Sequence, residues 1–157
     1  MEYRRITKEN RNQINRFIAE QWISTEMVIR GKIVDMTTVD GLVVYDDYKI
    51  VALLTYIVDG DSCEITSLDS LMEGQGIGSS LIDRMLRIAE EYHCTRIRVI
   101  TTNDNIHALR FYQKRGFELV CIYRNALDIS RQLKPQIPLI GENDIPLRHE
   151  IELEYVL

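Results

Sequence analysis

The chain has 157 residues, 45% of them hydrophobic and 27% charged, with a formal net charge of −5, so we read residues 1–157 as one globular domain with a sizeable core. The acidic balance argues against a nucleic-acid partner, and three scattered cysteines (Cys63, Cys94 and Cys121) fit neither a metal site nor a disulfide framework. The N-terminal stretch lacks an apolar signal core and no run reaches the ~18 apolar residues of a membrane span, which leaves a cytoplasmic protein with no membrane partner as the expectation.

Glu2–Ile6 reads as a short strand, with Thr7 capping the helix that follows and Asn10 where a capping box would carry Glu or Gln. Ile14, Phe17, Ile18 and Trp22 recur at helical spacing over Arg11–Trp22. Residues Ile23–Asp40 read as a short helix plus a mobile loop. Gly41–Tyr45, Lys49–Val58 and Cys63–Leu71 are three strands. Asp46-Asp47 and Asp59-Gly60 turn between them, so this part of the sheet is antiparallel.

The period then changes. Gly78–Tyr92 carries Leu81, Ile82, Met85, Ala89 and Tyr92 on one helical face. Arg96–Thr101 is a strand, and Asn105–Arg115 is a second helix with Ala108, Phe111 and Tyr112 on one stripe. Gly116 stands at its C-terminal cap, and Phe117–Tyr123 is a strand. This order implies a right-handed parallel crossover. All three prolines fall in an excursion, Asn125–Arg148, with little regular pattern; such segments are often functional. Glu150, Glu152 and Glu154 alternate with Ile151, Leu153 and Tyr155, giving a half-buried last strand. As an edge strand ending at Leu157, it offers a surface for a homodimer. The fold class is therefore mixed α/β: a mostly antiparallel sheet with a parallel βαβ core and flanking helices.

Gly74, Gly76 and Gly78 stand two apart just ahead of a helix, followed by Ser79-Ser80. Glycines at a strand-to-helix turn let a ligand approach the backbone and leave the first helical N–H groups pointing outward, where they and the helix dipole attract an anion. A phosphate-bearing ligand fits. A nucleotide P-loop needs a lysine that is missing here, and the dinucleotide fingerprint needs a different glycine spacing.

The stretch EGQGIGSSL resembles the acyl-CoA loop of the GCN5-related N-acetyltransferase (GNAT) family, Arg/Gln-x-x-Gly-x-Gly/Ala, with Gly76 and Gly78 at its glycine positions. NDNIHALRFYQKRGFELV is similar to that family's second motif, matched by Asn105, Ala108, Phe111, Tyr112, Gly116 and Phe117. The resemblance spans Gly41–Tyr123. It implies the GNAT fold and transfer of an acetyl group from acetyl-CoA to a primary amine, directly in a ternary complex and without a metal. A catalytically silent acyl-CoA-binding module is the alternative.

It also implies site residues. Gly74, Gln75, Gly76, Ile77, Gly78, Ser79 and Asn105 would hold the cofactor. Backbone groups at Leu68 and Asp69 would pair with its pantetheine arm, and an N–H near Leu68 would polarise the thioester carbonyl. Tyr112 would protonate the leaving thiolate. Glu64 is the candidate base, facing the same side as Thr66 and Leu68 by strand alternation, with Asp69 and His107 as lesser options. Trp22 and Tyr56 are candidate walls of the acceptor site. The family's Arg/Gln position holds Glu73, so a cation for the phosphates must come from elsewhere, with Arg84, Arg110 and Lys114 as candidates.

Overall fold

The computed structural model describes residues 1–22 and 24–157. In chain order the elements are β1 (Glu2–Arg5), α1 (Arg11–Trp22), β2 (Glu26–Ile29), β3 (Lys32–Asp35), β4 (Asp40–Asp46), β5 (Lys49–Asp59), β6 (Ser62–Ser70), α2 (Ile77–Glu91), β7 (Arg96–Thr102), α3 (Ile106–Lys114), β8 (Glu118–Tyr123), α4 (Ala126–Leu133) and β9 (Glu150–Val156). Seven strands form one sheet in the order β1-β4-β5-β6-β7-β9-β8, and β2 with β3 forms a separate hairpin. All pairings in the large sheet are antiparallel except β6 with β7. The fold is the mixed α/β sheet with a parallel βαβ core that the sequence pattern predicts.

Alternation along β5 divides the interior into two cores. Leu54 points into a cluster with Leu81, Ile82, Met85, Ile88, Ile97 and Leu153, beneath α2. Leu53 points the other way, into a cluster with Ile14, Phe17 and Ile18 of α1 and Met36 and Val39. The buried residues of α2 recur at helical spacing, and those of α1 do the same, which is why each helix lies flat on one face.

Three expectations are corrected. Within Ile23–Asp40, residue 23 lies outside the described residues, and the rest is not a helix and loop. It holds the β2–β3 hairpin, turned by Arg30 (φ 51°) and Gly31 (φ 72°). Two successive positive φ values suit a tight hairpin turn, and Arg-Gly is not the familiar signal for one. The excursion Asn125–Arg148 contains α4 and a 3₁₀ turn, Glu142–Asp144. Arg131 ties it together by donating to the carbonyls of Ile137, Pro138 and Leu147. At the first helix, Asn10 Oδ1 accepts from the Thr7 N–H at 2.7 Å, the reach-back half of a capping box with Asn in the Glu or Gln position. The last strand, β9, lies between β7 and β8, and β8 is the edge. The proposed pairing of β9 across a dimer loses its premise.

Register shifts occur in the β4–β5, β5–β6 and β8–β9 pairings, and the one in β6 bears on the site. Thr55 pairs with Ser67 and Tyr56 with Ile65, leaving Thr66 as an extra residue. Its hydroxyl and that of Ser67 both meet Thr55 Oγ1, at 2.7 and 2.5 Å. A one-residue bulge moves every later side chain to the other face. Leu68 therefore packs into the same core as Cys63 and Ile65, and Glu64 is not on its side. Among the described residues, no helix is long and apolar enough to cross a membrane, and no group of three or more His, Cys, Asp or Glu side chains is placed to hold a metal ion.

Candidate active site

The entrance to α2 is built by its glycines. Gly74 and Gly76 have φ of 73° and 71°, with open space where a Cβ would stand. Gly76 is the N-cap of α2 and makes no side-chain cap, so the first N–H groups of the helix have no capping side chain in front of them. Gly78 serves differently. A Cβ there would stand 2.9 Å from the Phe111 ring, so this glycine lets α3 pack against α2.

Beside this entrance the sheet opens. Parallel pairing of β6 with β7 runs from Ser62 opposite Arg96 to Ile65 opposite Val99 and stops there, while both strands continue. A cavity of about 680 Å³ lies between the diverging strand, the glycine loop and α3. Leu68, Asp69, Gly76, Asn105, Tyr112 and Arg115 are among its walls. Gly74, Ile77, Gly78 and Ser79 line it as well. Most of the predicted cofactor residues thus meet at one place. Asn105 also caps α3, its Oδ1 accepting from the Ala108 N–H at 3.0 Å.

Tyr112 is buried against Phe111 and Phe117, edge-on to both at 5.2 Å. Burial, and secondarily the negative charge of Asp69, hold its phenol above the ordinary value, so it stays protonated. Asp69 accepts from the Trp22 indole N–H at 3.1 Å. Burial pushes its carboxyl up to about 6, against the lowering effect of that bond. Trp22 therefore joins α1 to the cavity wall.

Other predicted residues lie elsewhere. Tyr56 is in the core beneath α2 and away from the cavity walls. Gln75 is exposed on the loop. Glu64 is outside the cavity, 3.9 Å from the Arg98 guanidinium. Arg84 lies over the Tyr3 ring at 4.2 Å, and Arg110 and Lys114 are on the exposed side of α3.

A family model described as the acetyltransferase (GNAT) family matches residues 9–117. The chain belongs to the GNAT acetyltransferase family. It is 45% identical over 141 residues to "Uncharacterized protein YxbD" of Bacillus subtilis (strain 168), covering 89% of each chain. Among solved structures it resembles an IAA acetyltransferase from Bacillus cereus, with a TM-score of 0.75 and 22% identity over 99% of each chain. It also resembles a GNAT acetyltransferase from Elizabethkingia anophelis with acetyl-CoA bound, with a TM-score of 0.69 and 18% identity over 99% of this chain and 97% of that one.

In this GNAT chain the cation that sequence reading missed is Arg115. Its Nε donates to Ser79 Oγ at 2.8 Å and one terminal nitrogen donates to the Phe111 carbonyl at 2.9 Å, while the guanidinium lies 3.7 Å over the Phe111 ring. Arg115 follows the last residue of α3 and reaches back across the cavity to the first turn of α2. Only its helical spacing from Phe111 hints at this in the sequence. It brings positive charge to a wall that also carries Glu73.

Proposed function

We propose that this acetyltransferase moves the acetyl group of acetyl-CoA to a primary amine by direct transfer within a ternary complex. The observation that carries the reading is the convergence on one cavity of uncapped α2 N–H groups, an unpaired stretch of β6, a protonated tyrosine and a carboxylate. The N–H groups and Arg115 fit a diphosphate. Past Ile65, β6 has no strand on its β7 side, so its backbone is free to pair with an extended arm.

Acetyl-CoA supplies an acyl thioester as the electrophile. The chain supplies the proton transfers. A primary amine has a pKa of ~10.4 and must lose a proton before it can attack. Asp69, a carboxylate above pH about 6, takes that proton, directly or through one water. A C–N bond forms, the C–S bond breaks, and Tyr112 gives its proton to the departing sulfur. Asp69 replaces Glu64 in this role because it lines the cavity and Glu64 does not. A covalent route through Cys63 is disfavoured. That thiol is fully buried beside Cys94 at 3.2 Å and burial pushes it up to about 12, far from the thiolate a nucleophile needs.

Thiol release from acetyl-CoA in the presence of a diverse amine panel tests the reading. Tyr112→Phe is expected to lower kcat by roughly 10²-fold while leaving coenzyme A affinity intact. Unchanged turnover would remove Tyr112 from the mechanism. Coenzyme A binding with no thiol release by any amine would favour the silent module.

A further inference from the structure

The opposite face of the sheet carries a second chemistry. In β9, Leu153 lies in the core beneath α2 and Ile151 and Tyr155 pack against that core, so Glu150 and Glu152 point the other way. Ile97 and Val99 of β7 are in that same core, which turns Arg98 toward the glutamates; Cys63 and Ile65 do the same for Glu64 in β6. Glu64 of β6 and Glu152 and Glu150 of β9 therefore share one face, on the two strands that flank β7, with Arg98 between them. The Arg98 guanidinium lies 3.9 Å from Glu64 and 3.9 Å from Glu152, too far for a hydrogen bond to either. Tyr123 donates its hydroxyl to Glu152 at 3.0 Å.

Glu150 is 3% exposed, yet its Oε1 has no partner among the described residues. Its other oxygen accepts the backbone N–H of Arg30 at 3.1 Å. The Arg30 guanidinium is not hydrogen-bonded to that carboxylate; it lies 4.2 Å over the Tyr123 ring. Arg98 Nε is likewise buried and unpartnered. Buried carboxylates outnumber the cations that pair with them, and a buried charge without a partner is costly. Burial also holds the carboxyls of Glu64 and Glu150 above their ordinary values, against the lowering effect of Arg98 on Glu64 and of Arg30 on Glu150.

The row lies against the place where transfer would occur. Glu64 pairs with Arg98, one residue before β6 and β7 part. Glu150 pairs with Thr102, three residues beyond the last β6–β7 pair and so about 10 Å further along the open gap. The carboxylates are spread out, and among the described residues none of them belongs to a group placed to hold a metal ion. That spacing suits an extended organic cation.

We propose that the Glu64–Glu152–Glu150 row is the acceptor subsite, and that it selects a linear diamine or polyamine whose remote ammonium pairs with Glu150 while its free amine stands at the strand gap. The assignment rests on the transfer reading for the chemistry at that free amine, but not for the binding itself.

Two measurements separate the questions. Calorimetric titration of coenzyme A-saturated protein with butylamine and with the linear four-, six- and eight-carbon α,ω-diamines tests the subsite. Binding at least tenfold tighter for the best diamine, with a preferred chain length, supports it. In Glu150→Gln, with coenzyme A affinity unchanged, that preference is lost. Equal binding of butylamine and every diamine by the unaltered protein overturns the subsite without needing any variant to fold, and leaves the orphan atoms to a bridging water. Thiol release with the same amines tests transfer. Its failure alongside a clear diamine preference would sink the transfer reading and leave the cation subsite standing.

Discussion

Asp69 is the residue on which the proposed chemistry and stability pull in opposite directions. Burial raises its carboxyl to about 6 from an unperturbed 3.8. A carboxyl raised on folding binds its proton more tightly in the folded state. Its ionised form therefore costs stability, with the cost growing from about pH 4 and complete above pH about 6. Asp69→Asn keeps an oxygen for the Trp22 indole and removes the charge. It is expected to raise stability by about 2 kcal/mol at pH 8, with little gain at pH 4, while turnover falls roughly 10²-fold. Melting curves at the two pH values and kcat at pH 8 check both halves; a pH-independent gain or undiminished turnover would count against Asp69 as base. Sequence reading ranked Asp69 behind Glu64. The reason is local: the extra residue at Thr66 breaks the alternation used to orient Glu64, and nothing in the residue types around Thr66 announces a bulge. Arg115 was hidden for another reason, because its partner Ser79 is 36 positions away in the chain.

At the scale of elements, the glycine loop and α2 were the most legible part, since their signal is backbone chemistry confined to a few consecutive residues. What the sequence left open is the division of labour among the glycines. Gly76 and Gly60 make a matched pair for testing it: φ is 71° and 60°, and neither would meet an atom within 4 Å if given a Cβ. Alanine at either position costs about 1–2 kcal/mol from left-handed strain alone. Gly60 turns a hairpin remote from the cavity, whereas Gly76 lines it. Gly76→Ala is expected to raise KM for acetyl-CoA at least tenfold and Gly60→Ala to leave it unchanged, with similar losses in melting temperature. A KM effect shared by both would mean that the loop acts only through stability. The β2–β3 hairpin and α4 were missed because each is short. α4 buries only Leu127 and Ser130, too few positions for a periodic pattern to emerge.

At the scale of the whole molecule, strand order was the least legible feature. Placing β9 between β7 and β8 depends on contacts that no local pattern encodes, although the apolar alternation of β9 correctly marked it as a strand. The motif after β7 helps to fix this arrangement. Asn103 Oδ1 accepts the N–H groups of Arg148 and His149 at 3.0 and 2.9 Å, just ahead of β9, while Asp104 accepts the Glu142 N–H at 2.8 Å. The residues just ahead of α3 thereby also tether the strand that carries Glu150.

The sheet is shared by both cores, which makes the stability of the molecule a single quantity. Leu53 and Leu54 are adjacent, both fully buried, and face opposite cores. Leu→Ala at a fully buried site costs about 2–5 kcal/mol, so each substitution is expected to lower stability by a similar amount. Because β5 belongs to both cores, neither can be lost while the strand stays ordered. The sole tryptophan, Trp22, sits at the end of α1 and reports the Leu53 side through fluorescence. Circular dichroism at 222 nm reports all four helices. In both variants the two signals are expected to fall in one coincident transition on heating or in urea. A fluorescence transition that precedes the dichroism transition in Leu53→Ala alone would show instead that α1 and its core unfold apart from the sheet; the Trp22–Asp69 contact would then be a movable gate at the cavity mouth.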